Sequence, residues 1–198
     1  MDLEILLQAT KEQMPISRWE HTLRVKDTAL QLADRLGMNP HPVTVASILH
    51  DYCKFWPDTV LAERIRQSDL PKDLLQYNKE LWHGPVAAIV ARDQFGITDP
   101  DVLHAIQYHT SGREGMSQLE KVIWLADYIE PARQFPGLDE VRLLAETNLD
   151  QALLKALENT IQFLIQRKQK VYPPTLLARN WLLDQVAQMQ TESREEFF

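Results

Sequence analysis

Apolar residues recur along this chain at intervals of three and four, the spacing that places them on one face of a helix. His21, Val25, Thr28, Leu32 and Leu36 form one such stripe, ended by Gly37. Val43, Ala46, Ser47 and His50 form another, and Val102, Ile106 and His109 a third. Ile123 and Asp127 share the side of a further helix that Pro131 stops. No tract of alternating β-branched residues suggests a strand, so the pattern predicts an all-α fold.

Local signals place the boundaries. Residues 1 to 14 read as a short amphipathic helix, and Ser17-Arg18-Trp19-Glu20 as a capping box opening the next. Pro40-His41-Pro42 marks a break before the helix that carries His50-Asp51. Asp58 reads as a cap, Pro71 precedes a short helix, and His83-Gly84-Pro85 starts another that Gly96 stops. Asp99-Pro100 opens a helix ended by Gly112, and Ser117-Gln118-Leu119-Glu120 is a second capping box. Two longer helices, about 149 to 170 and 175 to 190, follow on either side of Tyr172-Pro173-Pro174. With no internal repeat and no Gly/Ser linker, 198 residues read as a single domain over 1–190, with 191–198 a disordered tail.

Composition narrows the function classes. A net charge of -7 opposes broad binding to nucleic acid while leaving small anionic substrates open. One cysteine, Cys53, excludes an internal disulfide and a thiolate-rich metal site, and reads as a core residue rather than a nucleophile. No apolar run has membrane-spanning length and the start lacks signal-peptide character, so a cytoplasmic protein with no membrane partner is expected.

The candidate chemistry lies in the polar residues that interrupt these stripes. His50-Asp51 ends the apolar run Val43 to Leu49, and His21, His83, His109 and Asp127 sit in comparable settings. Buried imidazoles and carboxylates are costly unless paired, and a metal ion pairs with both. Singly, His21 or His109 would more often be a hydrogen-bonded core histidine, Asp127 could pair with an arginine, His83 could be a loop residue, and Lys54 a solvated lysine. Together, four imidazoles and two carboxylates suit iron, manganese, zinc, nickel or cobalt without choosing among them. Six donors exceed what one open ion needs, and two ions about 3.5–4 Å apart would use them all. His41, between prolines, and His104, about 140° around its helix from His109, are expected to lie apart. The five tryptophans read as core or boundary residues.

The order of these residues resembles the HD-domain superfamily. The stretches Glu20 to Val25, Leu49 to Lys54, His83-Gly84-Pro85, His109-Thr110, Val122 to Tyr128, Glu130 to Arg133, Pro174-Thr175 and Ala178 to Asn180 are similar to the YqeK family of iron-containing symmetrical bis(5'-nucleosyl)-tetraphosphatases. One departure is Thr110-Ser111-Gly112, where the family has a second threonine.

That resemblance implies a helical HD bundle with two metal ions, most often iron, held by His21, His50, Asp51, His83, His109 and Asp127, with Asp51 bridging. It implies hydrolysis of diadenosine tetraphosphate to two ADP by a metal-activated water. Asp51, Lys54 and Arg133 would be catalytic, and Thr110, Thr175 and Arg179 would contact substrate alongside His21, His83, His109 and Asp127. A homodimer is also implied by the family. The competing expectations are another HD-domain nucleotide phosphohydrolase, a nucleotide-binding regulator without turnover, and a diiron redox enzyme.

Overall fold

The computed structural model describes residues 3 to 195, and among them there are ten α-helices, two 3-10 segments and no strand. The helices are α1 (Leu3–Lys11), α2 (Ile16–Arg35), α3 (Pro40–Leu49), α4 (Asp58–Gln67), α5 (His83–Phe95), α6 (Pro100–Tyr108), α7 (Gln118–Ile129), α8 (Leu138–Thr147), α9 (Leu149–Gln166) and α10 (Pro173–Glu195). The 3-10 segments, Lys72–Gln76 and Lys79–Leu81, lie between α4 and α5.

One buried apolar cluster runs from Leu6 through Val25, Ile48, Ile106, Ile123 and Leu125 to Leu157 and Leu182. At about 1.5–3 kcal/mol for each large aliphatic side chain, this burial is the main stabilising term. Helix α2 packs on α3 and α7, α5 on α6, and α9 on α8 and α10. The α2, α3 and α7 layer and the α5, α6 pair enclose the space where His21, His50, His83 and His109 meet.

Several boundaries differ from the sequence reading. The Ser17 box is not used: α2 starts at Ile16 behind Pro15, whose ψ of 157° is extended and whose side chain offers no cap. Proline also disfavours helical backbone at Met14, so the break falls before Ser17, which is already inside the first turn. On this helix the buried face is His21, Val25, Ala29 and Leu32, while Thr28 is half-buried and Leu36 is exposed past the helix end.

Pro40 and Pro42 do not break α3. They occupy its first turn, where missing amides cost nothing, and Asn39 caps them by accepting from the His41 amide. Asp58 is the first residue of α4, with Pro57 at the cap and no side-chain cap bond. The second capping box is formed in full, with Ser117 and Glu120 bonding each other's amides.

The sequence reading missed α8, which begins at Gly137 in the left-handed region (φ 84°) with no side-chain cap. The two last helices are 149–166 and 173–195, and Pro173 and Pro174 open the second. Helix α10 continues through the stretch 191–195 that the sequence assigned to a disordered tail, and the rest of that tail, 196–198, lies outside the described residues.

Candidate metal centre

Asp51 is fully buried just beyond the end of α3, and its two carboxylate oxygens face two different histidine pairs. Oδ2 lies 3.0 Å from His50 Nε2 and 3.8 Å from His21 Nε2. Oδ1 lies 3.0 Å from His83 Nε2 and 3.8 Å from His109 Nε2. Asp127 Oδ1 adds a donor 3.0 Å from His21 Nε2. Two donor groups result, His21-His50-Asp51 and Asp51-His83-His109, each with its donor atoms within 4.8 Å of one another.

Each imidazole is aimed by its place in the fold. His21 projects from the buried face of α2, His50 and His109 sit at the helix ends of α3 and α6, and His83 opens α5. Gly84 allows the α5 start to close on α6: a Cβ there would meet Gln107 O at 3.0 Å and the His109 ring at 3.1 Å.

Hydrogen bonds at the other ring nitrogen fix the tautomers. His50 Nδ1 donates to Ser47 O at 2.6 Å and His109 Nδ1 to Ile106 O at 2.8 Å. His21 Nδ1 donates to the Glu130 carboxylate at 3.1 Å, which leaves Nε2 of these three rings as a lone pair facing the cluster.

These contacts distinguish a metal site from an ordinary polar core. His21 Nε2, His50 Nε2 and both oxygens of Asp51 are buried and make no hydrogen bond of acceptable geometry, despite separations near 3.0 Å. Apart from the Arg18 contact to Asp51 Oδ2, these lone pairs crowd together without a well-formed donor, which is costly in a dry interior. A divalent cation relieves that cost, and nitrogen and oxygen donors without sulfur fit a divalent transition metal. The residues present therefore fit a metal-binding site.

The electrostatics favour ionised acids and neutral imidazoles at His83 and His109, whereas at His50 burial is outweighed by the Asp51 carboxylate, which raises the imidazole. Burial holds His83 and His109 below the usual imidazole range, His109 well below it. Burial also opposes the charge on Asp51, yet the His50 and His83 imidazoles and the Arg18 guanidinium keep its carboxyl well below the ordinary value. Asp127 is likewise held low, burial being outweighed by His21 and Arg133.

The cluster forms one end of a cavity of about 800 Å³ bordered by Asp51, His83, His109 and Asp127. Lys54, Thr110, Arg133 and Thr175 also border it. Lys54 Nζ pairs with Glu80 at 2.5 Å, and Arg133 bonds Asp127 Oδ1 at 2.6 Å and Asp127 O at 3.1 Å. The pairing of Asp127 with an arginine, weighed as an alternative to metal ligation, thus occurs beside the cluster. Thr110 Oγ1 lies 3.0 Å from His109 Nε2.

Arg179 lies farther out than the other expected substrate contacts. It pairs with Glu158 at 2.6 Å and does not border the cavity, because the α10 face that carries it packs along α9. His41 is exposed and His104 faces Tyr108, both away from the cluster. Cys53 is fully buried, and burial pushes its thiol up, as suits a core residue.

Sequence reasoning missed Arg18 and Glu130. Arg18 Nη2 contacts Asp51 Oδ2 directly and borders the cavity. Glu130, 3% exposed, accepts from His21, from Arg24 Nε at 2.7 Å and from the Ala132 amide at 2.8 Å. Among the described residues, no helix is long and apolar enough to cross a membrane.

Comparisons with known proteins agree with this geometry. The sequence family described as HD domain matches residues 18–132. The chain is 48% identical to the symmetrical bis(5'-nucleosyl)-tetraphosphatase of Bacillus subtilis (strain 168) over 92% of its own length and 98% of the relative's. It is 40% identical to the protein of the same name in Staphylococcus aureus (strain NCTC 8325 / PS 47), over 91% and 94% of the two chains. A crystal structure from Clostridium acetobutylicum, described as a predicted HD superfamily hydrolase involved in NAD metabolism, superposes with a TM-score of 0.88 at 36% identity, covering 93% of this chain and 98% of that one. The chain belongs to the HD-domain superfamily and, within it, to the YqeK family.

Proposed function

We propose that this protein hydrolyses diadenosine tetraphosphate symmetrically, giving two molecules of ADP. The observation that carries the reading is Asp51, shared between two histidine pairs at the end of a cavity that also presents Lys54 and Arg133. The relatives named for this activity, at 40–48% identity over nearly the whole chain, supply the substrate.

In this reading His21, His50, Asp51 and Asp127 would hold one ion and Asp51, His83 and His109 a second, with iron the metal expected in both. When bound, the ions supply positive charge at the phosphates and a water of lowered pKa. Oxygen from water adds to one of the two phosphorus atoms beside the central anhydride oxygen, the bond to that oxygen breaks, and one ADP leaves.

The chain's own cations do the rest. Lys54 and Arg133 reach the cavity from opposite neighbours, Glu80 and Asp127, and neutralise charge that grows on the phosphate oxygens. Arg18, beside Asp51, joins His50 and His83 in holding that carboxyl low and adds a third positive group. Thr110 offers a hydroxyl at the His109 side and Thr175 a buried one from α10.

Separation of the nucleotide products decides the reading: the metal-loaded protein should yield ADP alone from diadenosine tetraphosphate. ATP with AMP, or no turnover, would overturn it. Metal analysis of the same sample tests iron and the stoichiometry of two.

A further inference from the structure

The cavity has more lining than the metal cluster, and part of that lining has a different chemistry. Of the large aromatic side chains that stay substantially exposed, Phe135 (37%) and Phe163 (49%) both border this cavity. They come from separate elements, the loop after α7 and the last turn of α9.

Both rings are held from behind. Phe135 packs edge-on against Tyr128 at 5.1 Å, and Tyr128 is stacked on the buried Trp124 at 5.4 Å and 15°. Arg167 covers one face of Phe163 at 4.5 Å, and the ring stays 49% exposed. The wall also holds unsatisfied polar groups. Trp124 Nε1 and Asn159 Nδ2 are buried without a well-formed hydrogen bond, although the Tyr128 hydroxyl is close to Asn159. Exposed flat apolar rings beside N–H donors, one indole and one amide, suit a flat, edge-polar aromatic ligand.

We infer that Phe135 and Phe163 form the slot for the nucleobase of the ADP half that stays on the attacked phosphorus. This deepens the proposed function and rests on it. The loop itself sets the measure. Arg133 and Phe135 are two residues apart, at most about 7 Å of chain. A base on Phe135 would therefore have Arg133, and through it Asp127, within reach of its phosphates. The slot would thus fix which phosphorus is presented, and so why the anhydride is cut in the middle.

The test uses the metal-loaded protein with Phe135→Ala and Phe163→Ala. Loss of a base stack by alanine substitution is worth about 1–3 kcal/mol, so each variant should bind ADP roughly tenfold more weakly. Competition by inorganic phosphate should stay within about twofold of wild type, and kcat/KM for diadenosine tetraphosphate should fall mainly through KM. Equal losses for ADP and phosphate, or none for either, would overturn the slot. Unchanged thermal unfolding would assign the loss to contact with the base. If the wild type releases no ADP, the hydrolytic reading falls, while the comparison of ADP with phosphate binding still decides the slot.

Discussion

Glu130 and His21 are 109 residues apart in sequence, and their side chains meet at 3.1 Å inside the protein. Burial opposes the charge on Glu130, but Arg24, the Ala132 amide and His21 together hold its carboxyl below the ordinary value. An ionised carboxylate can only accept, so His21 carries its proton on Nδ1 and turns Nε2 toward Asp51 and Asp127. Glu130→Ala should weaken metal retention about 10–100-fold, the usual cost of losing such a partner. Dialysis against graded chelator with metal analysis measures it. Retention equal to wild type would show that packing alone orients the ring.

Asp51 faces both histidine pairs, so its loss should affect both positions together. Asp51→Asn keeps the shape and removes the charge. The expected result is less than one ion per chain and a fall in turnover larger than the roughly 100-fold typical of a supporting residue. Retention of two ions by Asp51→Asn would refute the bridging assignment.

Metal removal should destabilise the fold. The atoms His21 Nε2, His50 Nε2 and both Asp51 oxygens are buried without a well-formed hydrogen bond, the Arg18 contact to Asp51 Oδ2 aside, and an ion that binds only the folded chain adds its binding energy to stability. At a free metal concentration 1,000 times Kd the gain is about 4 kcal/mol. For a chain of this size that is a rise in Tm of about 8–16 °C, read by calorimetry before and after chelation. Equal Tm values would mean that the cluster satisfies itself.

Gly84 offers a steric test of the second donor group. An added Cβ would stand 3.0 Å from the Gln107 carbonyl and 3.1 Å from the His109 ring, and the backbone oxygen cannot swing aside. Gly84→Ala should therefore displace the His109 ring and lower metal content from two ions toward one. Loss of both ions, or of neither, by metal analysis would contradict this.

The long, well-bounded helices were legible in the sequence because their stripes are regular and their ends are marked. Helix α7 shows this, with Ser117 and Glu120 capping as read. Helix α8 was not legible: its buried face is only Leu138, Val141 and Ala145, and its start is a left-handed glycine rather than a capping side chain. The histidines and aspartates of the cluster announced themselves as polar residues on apolar faces. Arg18 and Glu130 did not, because their partners Asp51 and His21 are remote in sequence and no local spacing links them. Arg179 is a different case: it lies in a similar stretch, and in this structure it pairs with Glu158 as α10 packs on α9.

Arg133 separates two roles that the geometry joins. Its Nη2 lies 2.6 Å from Asp127 Oδ1, the same oxygen that faces His21 Nε2 at 3.0 Å. If Arg133 chiefly orients Asp127, Arg133→Ala should lose metal as readily as turnover. If it chiefly receives substrate phosphate, the variant should keep its metal, since an ion bound by Asp127 no longer competes with a guanidinium for that oxygen. The cavity-facing position of Arg133 favours the second role. The expected outcome is wild-type metal content with kcat/KM lowered about 10²–10³-fold, the scale of losing one positioned donor to a charge that grows in the transition state. Arg133→Lys should recover part of it, because an ammonium keeps the charge but not the planar fork. Loss of metal in step with activity, measured on the same preparation, would return Arg133 to an orienting role.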